Sequence, residues 1–592
     1  MRASRLLIVS AAVALALPAL AQDRAQPVAT NPPAAVPTPA TSPTAATPTA
    51  RPRLPAPASS SYGESETGVA EITAADLAPP PPPVEIPDRA RRNPWVVGRL
   101  DPVALGLGPD PWRAASGVFL SSLMRRTDPP LASRWAHMAL RNGLLAKARA
   151  PRNVNPVDWT AERAWLLLRM GEADAARMLV SAVDVDRFTP KMFQVAVQSA
   201  LANADPSALC PLQDGIRKVE PRIYPLVDAI CASLAGEPES AGAQIDSARR
   251  RGRIGGIDLA LAQKVVGAGS DTGRAVTLEW DPVDRLTAWR FGLAMATGIA
   301  LPDRLVKSAP TQLRAWQARS PMLSPQQRLD SARIATGLGV FSSQSLIDLY
   351  SMIFDATDPD QLSQTDAWQM RLAFVGKDRD ARMAAIRKIW SIGEGDTQRE
   401  ASRAIAARAA TRIAPDTALE ADAPALIGSM LAAGYDREAA RWIGALRRMD
   451  ERYADPSWAM LALGAPDTAG LDLSYGRINA FISRDQSHNK KRSALLVAGL
   501  AGLGRIDGHS ADRLNRRNEL GIGHRTRWTR LIDSSAALGQ SGSVLVLTGT
   551  GFQAAGFAQL PSSHLYHAVA ALNRTGQGFT ARMIAAEALA RT

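Results

Sequence analysis

Cys210 and Cys231 are the only thiols in the 592-residue chain. A pair of thiols can act as a redox centre, share a metal ion or close a disulfide bond. Redox pairs are normally spaced C-x-x-C, and these two cysteines lie much farther apart. A metal site would need further ligands, and no histidine lies between Leu140 and Asp485. The remaining possibilities are a disulfide bond and two buried free thiols. Which of them applies depends on whether the protein resides in an oxidising or a reducing compartment.

Two histidines, His564 and His567, stand three residues apart in the sequence HLYH. Side chains at that spacing lie on one face of a helix and can ligate one metal ion. No acidic residue lies between Asp533 and Glu587, so a third ligand is missing nearby in the sequence. We therefore predict partly buried helix histidines, no metal site and no cofactor.

Basic residues are concentrated between positions 484 and 530. Arg513, Arg516 and Arg517 are spaced i, i+3 and i+4, so a helix would place them on one face, and Arg527 follows closely. Guanidinium groups bind phosphate and carboxylate groups through paired hydrogen bonds. These four arginines are the candidate anion-binding site, and a solvated arginine face is the alternative.

Common catalytic motifs are missing from the sequence. There is no G-x-S-x-G nucleophile turn and no H-E-x-x-H zinc pair. The stretch GTGF (549–552) lacks the lysine and the spacing of a phosphate-binding loop. We therefore predict no catalytic residues and no enzymatic activity.

The N-terminus indicates the compartment. Two arginines precede an apolar run, Leu6–Leu17, and a small-residue site, Ala19–Ala21, follows it. This is the pattern of a cleaved secretory signal peptide over residues 1–21, with the mature chain starting near Gln22. The run is shorter than the about 20 residues of a membrane-spanning helix, and no second run approaches that length. We predict a periplasmic protein with no transmembrane segment in the mature chain and with the two cysteines oxidised.

The chain has a formal net charge of +13, with 69 lysines and arginines against 56 acidic residues. Nearly all of these cations are arginine, a bias that a GC-rich genome also produces. Because an exported protein rarely meets nucleic acid, we predict no nucleic-acid partner. Peptidoglycan, phosphorylated glycolipids and anionic lipid surfaces are the partners that the charge would fit.

Residues 22–93 are dominated by proline, alanine, threonine and serine and show no apolar period. Such a segment cannot bury enough apolar surface to offset the entropy of ordering. The proline run Pro79–Pro83 predicts a stiff spacer near its end. We predict a disordered linker over 22–93 and a folded body over 94–592.

The folded body has a helical pattern. In SLIDLYSMIF (345–354), apolar residues recur at the helical spacing: Leu346, Leu349, Tyr350 and Ile353. A capping residue precedes a proline at three predicted helix starts: Asp205, Ser324 and Asp455. The best strand candidate, Val544–Gly549, is isolated between helical stretches. The prediction is an all-α fold.

A short pattern recurs after five glycines: Gly171, Gly236, Gly376, Gly434 and Gly576. Each glycine follows an apolar helical stretch, and an alanine stands five residues later. Glycine tolerates the left-handed conformation that ends a helix, and a small alanine lets the next helix approach closely. Three methionines are predicted to fill the contact between the helices: Met178, Met383 and Met583.

This glycine–alanine pattern resembles the turn and second helix of tetratricopeptide repeats. The glycines do not follow the roughly 34-residue period of that family, so the resemblance is to a degenerate TPR-like α-solenoid. It implies a right-handed superhelix of stacked helical hairpins over 94–592, with a long groove suited to peptides or protein segments.

The function that follows is a periplasmic scaffold that binds a protein or peptide partner of the cell envelope. Two alternatives stay open. The arginine-rich face could bind peptidoglycan or anionic envelope lipid, or the chain could be an accessory module of an envelope-polymer enzyme.

Overall fold

The computed structural model of the chain describes residues 87–252, 254–270 and 276–592. The predicted signal peptide (1–21) and residues 22–86 of the predicted linker lie outside this part of the chain. The body from 87 onward is mostly helical, which confirms the predicted helical character. None of its described helices is both long and apolar enough to cross a membrane.

The described residues form 28 α-helices. The first nine are α1 (Gly117–Arg126), α2 (Arg134–Leu145), α3 (Pro156–Arg169), α4 (Ala173–Val180), α5 (Pro190–Ala202), α6 (Gln213–Val219), α7 (Tyr224–Leu234), α8 (Pro238–Arg250) and α9 (Gly256–Gly269). The next nine are α10 (Ala288–Ala296), α11 (Asp303–Ser308), α12 (Thr311–Gln317), α13 (Pro325–Leu338), α14 (Ser343–Ala356), α15 (Pro359–Leu362), α16 (Asp366–Val375), α17 (Arg379–Trp390) and α18 (Gly395–Ala410). The remainder are α19 (Ala423–Ala432), α20 (Asp436–Ala440), α21 (Glu451–Gly464), α22 (Tyr475–Arg484), α23 (Lys491–Gly502), α24 (Gly508–Asn518), α25 (Arg527–Ala537), α26 (Ser541–Gly551), α27 (Ser562–Arg574) and α28 (Gly578–Ala590).

Shorter elements join these helices. Two strands, β1 (Val96–Val97) and β2 (Ala148–Arg149), pair antiparallel. The 3-10 helices are Asp88–Ala90, Val185–Arg187, Pro206–Leu212, Thr417–Leu419, Arg441–Gly444, Leu446–Arg448 and His488–Lys490.

Two of the three predicted helix starts carry a capping side chain. Ser324 caps α13, and Asp205 accepts a hydrogen bond from the N–H of Ala208 at the start of a 3-10 helix. The start predicted at Asp455 is wrong, because α21 begins earlier, after Asp450. The carboxylate of Asp450 caps the helix by accepting a hydrogen bond from the backbone N–H of Arg452. Asp455 instead lies inside α21 and forms ion pairs.

The strand candidate Val544–Gly549 lies in α26 and is helical. Every residue of this stretch is buried, because α26 packs against α1, α2, α25 and α27. A helix that is surrounded in this way is apolar on all sides, so its sequence has no helical period to detect. Leu346, Leu349, Tyr350 and Ile353 all lie buried on α14, as their spacing indicates.

Each repeat glycine lies between two helices that contact each other: α3 and α4, α7 and α8, α16 and α17, α19 and α20, α27 and α28. Four adopt the left-handed conformation: Gly171 (φ 87°), Gly236 (84°), Gly434 (83°) and Gly576 (88°). Gly376 differs, with φ −51°. A Cβ at Gly376 would lie 2.8 Å from the carbonyl oxygen of Leu372, so close approach is what limits this position.

The alanines that follow these glycines lie in the helix contacts. Four are fully buried: Ala176, Ala241, Ala439 and Ala581. Two of the three predicted methionines, Met383 and Met583, are buried, whereas Met178 is 43% exposed. The expectation that Met178 fills the contact between its helices is therefore wrong, since its side chain faces away from the core.

Neighbouring helix pairs pack on each other, and the two ends of the body also meet. α3 contacts α5, α7 contacts α9, and α18 contacts both α13 and α19. α1 and α2 contact α26, and α2 also contacts α28. One apolar core therefore runs through the body and includes its first and last helices. A right-handed superhelix remains a prediction.

A buried carboxylate, Glu587, fixes the contact between α2 and α28. It accepts hydrogen bonds from the Ser133 hydroxyl (2.5 Å), the backbone N–H of Arg134 (2.8 Å) and Nη1 of Arg591 (2.7 Å). Ser133 is the N-cap of α2, so Glu587 helps to cap a helix from the far end of the chain. Arg134 in turn donates to carbonyl oxygens at the C-terminal ends of α13 and α19.

The two cysteines are joined by the predicted disulfide bond. Cys210 lies in the 3-10 helix Pro206–Leu212, Cys231 lies in α7, and their Cα atoms are 5.5 Å apart. The bond ties the start of one helical segment to the end of the next, immediately before the turn at Gly236.

Candidate functional site

A cleft of about 1640 Å³ lies where several parts of the chain meet. Its walls come from α19, α21, the loop 483–489 with the start of α23, the turn 519–524 and the C-terminal end of α28. Small-molecule pockets typically measure about 300–1,000 Å³, so this cleft has room for a longer ligand.

Asp455 on α21 holds one wall of the cleft. Its buried carboxylate pairs with Arg477 (2.7 Å) and with Nε of Arg484 (2.8 Å), both on α22. The guanidinium group of Arg477 also lies 4.0 Å from the ring centroid of Trp458, a cation–π contact. The hydrogen bond to Asp455 raises the pKa of Arg484. These contacts fix α22 against α21 and set where the loop after α22 begins.

Asp485 organises that loop. Its carboxylate accepts hydrogen bonds from the backbone N–H of Ser487 (2.9 Å) and from both the N–H and the hydroxyl of Ser493 (2.8 and 2.6 Å). Burial opposes ionisation of Asp485, but these hydrogen bonds outweigh it and lower its pKa. Asn489 and Lys490 both have φ near 50°, a left-handed conformation that costs about 1–2 kcal/mol for each such residue. The loop backbone is therefore strained at Asn489 and Lys490, and this conformation places the first residues of α23 at the cleft.

Two cations at the start of α23 face the cleft without a carboxylate partner among the described residues, Lys491 and Arg492. Lys491 is half-buried and donates from Nζ to the carbonyl oxygen of Leu560 (2.5 Å). Burial lowers the pKa of Lys491, because it removes water from the charged ammonium group. By contrast, the cleft residues Arg403 and Arg484 are paired with carboxylates. A negatively charged ligand would therefore find its charge partners at Lys491 and Arg492.

Apolar side chains line other parts of the cleft. Buried members are Met460, Phe481, Leu520 and Leu589. The cleft thus offers apolar contact beside two uncompensated cations, and this combination suits a protein segment that carries both apolar and acidic side chains.

The predicted anion-binding arginines lie outside the cleft. Arg513, Arg516 and Arg517 are exposed on α24, and Arg527 is exposed in the first turn of α25. The Arg513 guanidinium lies 4.5 Å from the ring centroid of Tyr475. These four residues make no ion pair within the described part of the chain, so the structure places them as a solvent-facing basic surface.

The paired histidines have separate partners. His564 bonds through Nδ1 to the Gly551 carbonyl oxygen (2.9 Å) and stacks on Trp528, whereas buried His567 bonds through Nδ1 to Asp533 (2.8 Å). No group of three or more potential metal ligands occurs in residues 87–252, 254–270 and 276–592. Both histidines therefore serve packing and hydrogen bonding.

Sequence reasoning missed the residues that shape the cleft. Asp455 precedes a proline and was interpretable only as a helix cap. Lys491 and Arg492 fall in the basic stretch 484–530, but nothing in their spacing separates them from the solvent-facing arginines of α24. Lys491 and Arg492 differ from those arginines by lying in a cleft without a carboxylate partner among the described residues. Only the folded chain shows this difference.

Comparison with protein-family models, curated proteins and solved structures finds no significant match to this chain.

Proposed function

We propose that the protein is a non-catalytic, TPR-like helical scaffold of the bacterial periplasm that binds a protein or peptide segment in the cleft between α19, α21 and α23. The observation that carries the proposal is the pair Lys491 and Arg492, which form no ion pair with any described residue and lie beside an apolar cleft wall. The cleft volume of about 1640 Å³ supports an extended ligand rather than a small metabolite.

The proposed location rests on the signal-peptide pattern at the N-terminus and on the disulfide bond. A disulfide is compatible with an extracytoplasmic protein, since cytosolic thiols are kept reduced. Two of the four carboxylates that line the cleft, Asp455 and Asp485, are engaged in hydrogen bonds, and the other two, Glu451 and Glu519, lie exposed at its rim, so none of the four is a buried carboxylate poised as a base, which supports a non-catalytic role.

A displayed library of random peptides, selected on the mature chain, tests the binding function. We expect enrichment of peptides that combine acidic and apolar residues. Their affinity should fall at least about tenfold in the variant K491Q/R492Q, since a hydrogen bond to a charged group contributes about 1.5–3 kcal/mol.

The matched control is R249Q/R250Q, which removes two exposed arginines from the end of α8 and should leave the affinity unchanged. Equal affinity of all three proteins, or no enrichment of any peptide, would contradict peptide binding in the cleft.

A second candidate function is the binding of anionic envelope polymers or lipids through α24. It is favoured by the three exposed guanidinium groups of Arg513, Arg516 and Arg517, which have no carboxylate partner among the described residues. Its test is the loss of that binding in the variant R513Q/R516Q/R517Q.

A further inference from the structure

The two-stranded ribbon of β1 and β2 carries a second basic surface, far in sequence from α24. Val96 pairs with Arg149, and Val97 pairs with Ala148. Side chains alternate across the ribbon, so Val97 and Ala148 enter the core while Val96 and Arg149 face outward. The outward face of the ribbon is therefore open to a partner.

Four exposed cations lie in the two strands or within three residues of them, and none pairs with a carboxylate in the described part of the chain: Arg99, Lys147, Arg149 and Arg152. The backbone brings the Arg99 and Lys147 positions together, since the backbone N–H of Arg99 donates to the Leu145 carbonyl oxygen (2.8 Å) and the backbone N–H of Lys147 donates to the Leu100 carbonyl oxygen (2.8 Å). A shallow cleft of about 570 Å³ opens beside the ribbon, and its described lining includes Arg99, Lys147 and Arg92, of which Arg92 pairs with Asp184 (3.7 Å). This side of the body therefore attracts anions.

Exposed apolar groups adjoin these cations. Trp95 is 45% exposed and Val96 is 37% exposed. The Arg149 guanidinium lies 5.7 Å from the Trp95 ring centroid. Tryptophan beside basic residues is typical of surfaces at the membrane–water interface, where the ring sits at headgroup depth and the cations contact lipid phosphates.

We propose that this ribbon patch (Trp95, Val96, Arg99, Lys147, Arg149 and Arg152) docks the protein on a membrane surface that contains anionic phospholipid headgroups. The attachment is peripheral, because the patch combines a few interfacial side chains with surface charge and buries no helix in the bilayer. None of the patch residues lines the cleft between α19, α21 and α23.

Vesicle co-sedimentation of the mature chain tests the proposal. We expect binding to vesicles of equal parts phosphatidylglycerol and phosphatidylcholine, little binding to pure phosphatidylcholine, and loss of binding at high salt. The variant R99Q/K147Q/R149Q should bind about a hundredfold more weakly, since each basic residue near an anionic surface contributes a factor of about five. The variant W95A should bind several-fold more weakly and retain the salt dependence.

The matched control, R249Q/R250Q/R251Q, removes the same charge from exposed residues at the end of α8 and should bind as the wild type does. An equal loss in both triple variants would overturn the proposal, because binding would then follow net charge. The proposal would also be overturned by equal binding to both vesicle types or by loss of vesicle binding only in R513Q/R516Q/R517Q. Tighter binding to a single-stranded oligonucleotide than to anionic vesicles would overturn it as well. Circular dichroism of each variant confirms that the fold is kept, and none of these exposed side chains contributes to the core.

Discussion

Replacing Glu587 with glutamine should weaken the contact between α2 and α28. The buried carboxylate accepts hydrogen bonds from Ser133, from the N–H groups of Arg134 and Trp135, and from Arg591. Glutamine has the same size, but it turns an N–H group towards one of these donors and removes the direct ion pair with Arg591, whose remaining favourable charges are those of Glu400 and Asp396. Hydrogen bonds to charged groups contribute about 1.5–3 kcal/mol each, and breaking a buried ion pair costs about 3–5 kcal/mol.

We therefore expect E587Q to lower the free energy of unfolding by about 3–5 kcal/mol in urea titrations followed by circular dichroism. Amide hydrogen exchange should quicken in α2 and α28 by about a hundred- to a few-thousand-fold, because tenfold corresponds to about 1.4 kcal/mol. The control is E239Q, which changes an exposed glutamate on α8 and should shift stability by less than about 0.5 kcal/mol. If E587Q behaves like E239Q and exchange in α2 and α28 is unchanged, the carboxylate does not hold the two ends together.

Three further perturbations follow from the fold and the cleft. Thiol titration of the denatured, unreduced mature protein should find no free thiol, and C210S/C231S should lower stability by about 3 kcal/mol; two titratable thiols would refute the disulfide. Asp485 has a folded-state pKa below its ordinary value of 3.8, so it stabilises the loop above that pH and loses the effect as the pH falls through the lower, folded-state pKa. D485N should therefore speed hydrogen exchange over 487–493 at neutral pH but not in strong acid, and a difference that persists in acid would contradict this origin. G171A should destabilise by more than about 1 kcal/mol, because φ is 87° and the added Cβ would come within 2.7 Å of a neighbouring side chain. The control G444A, with open space around it, should be neutral or slightly stabilising in the same unfolding measurement.

The local structure of this protein is readable from its sequence where one helix face is apolar. The spacing on α14 and the glycine turns between paired helices are both local signals, and the structure contains the corresponding elements. Prediction from the sequence is weaker where burial is complete, as in α26, which is buried on every side and shows no helical period of apolar residues. Prediction of a helix start is also weaker where two possible capping residues lie close together, as Asp450 and Asp455 do. The sequence alone does not show which of the two begins the helix.

Long-range contacts explain most of what the sequence leaves open. The capping of α2 by Glu587 joins residues at opposite ends of the body, and no local pattern indicates it. The same holds for the cleft, whose walls come from helices far apart in the chain. The stretch from 484 to 530 is visibly basic, but only the folded chain shows that Arg484 pairs with Asp455 while Lys491 and Arg492 line the cleft without an ion pair to a described residue.

Site-specific photo-crosslinking in living cells tests the central proposal, binding of a protein segment in the cleft, most directly. The photoreactive amino acid p-benzoylphenylalanine would replace Ala425, an exposed residue that lines the cleft, or Ala243, an exposed alanine of α8 outside it. We predict a discrete cross-linked protein partner at Ala425 that is absent at Ala243 and weakened by K491Q/R492Q. Cross-links of equal yield at both positions, or none at Ala425, would contradict the cleft as the binding site.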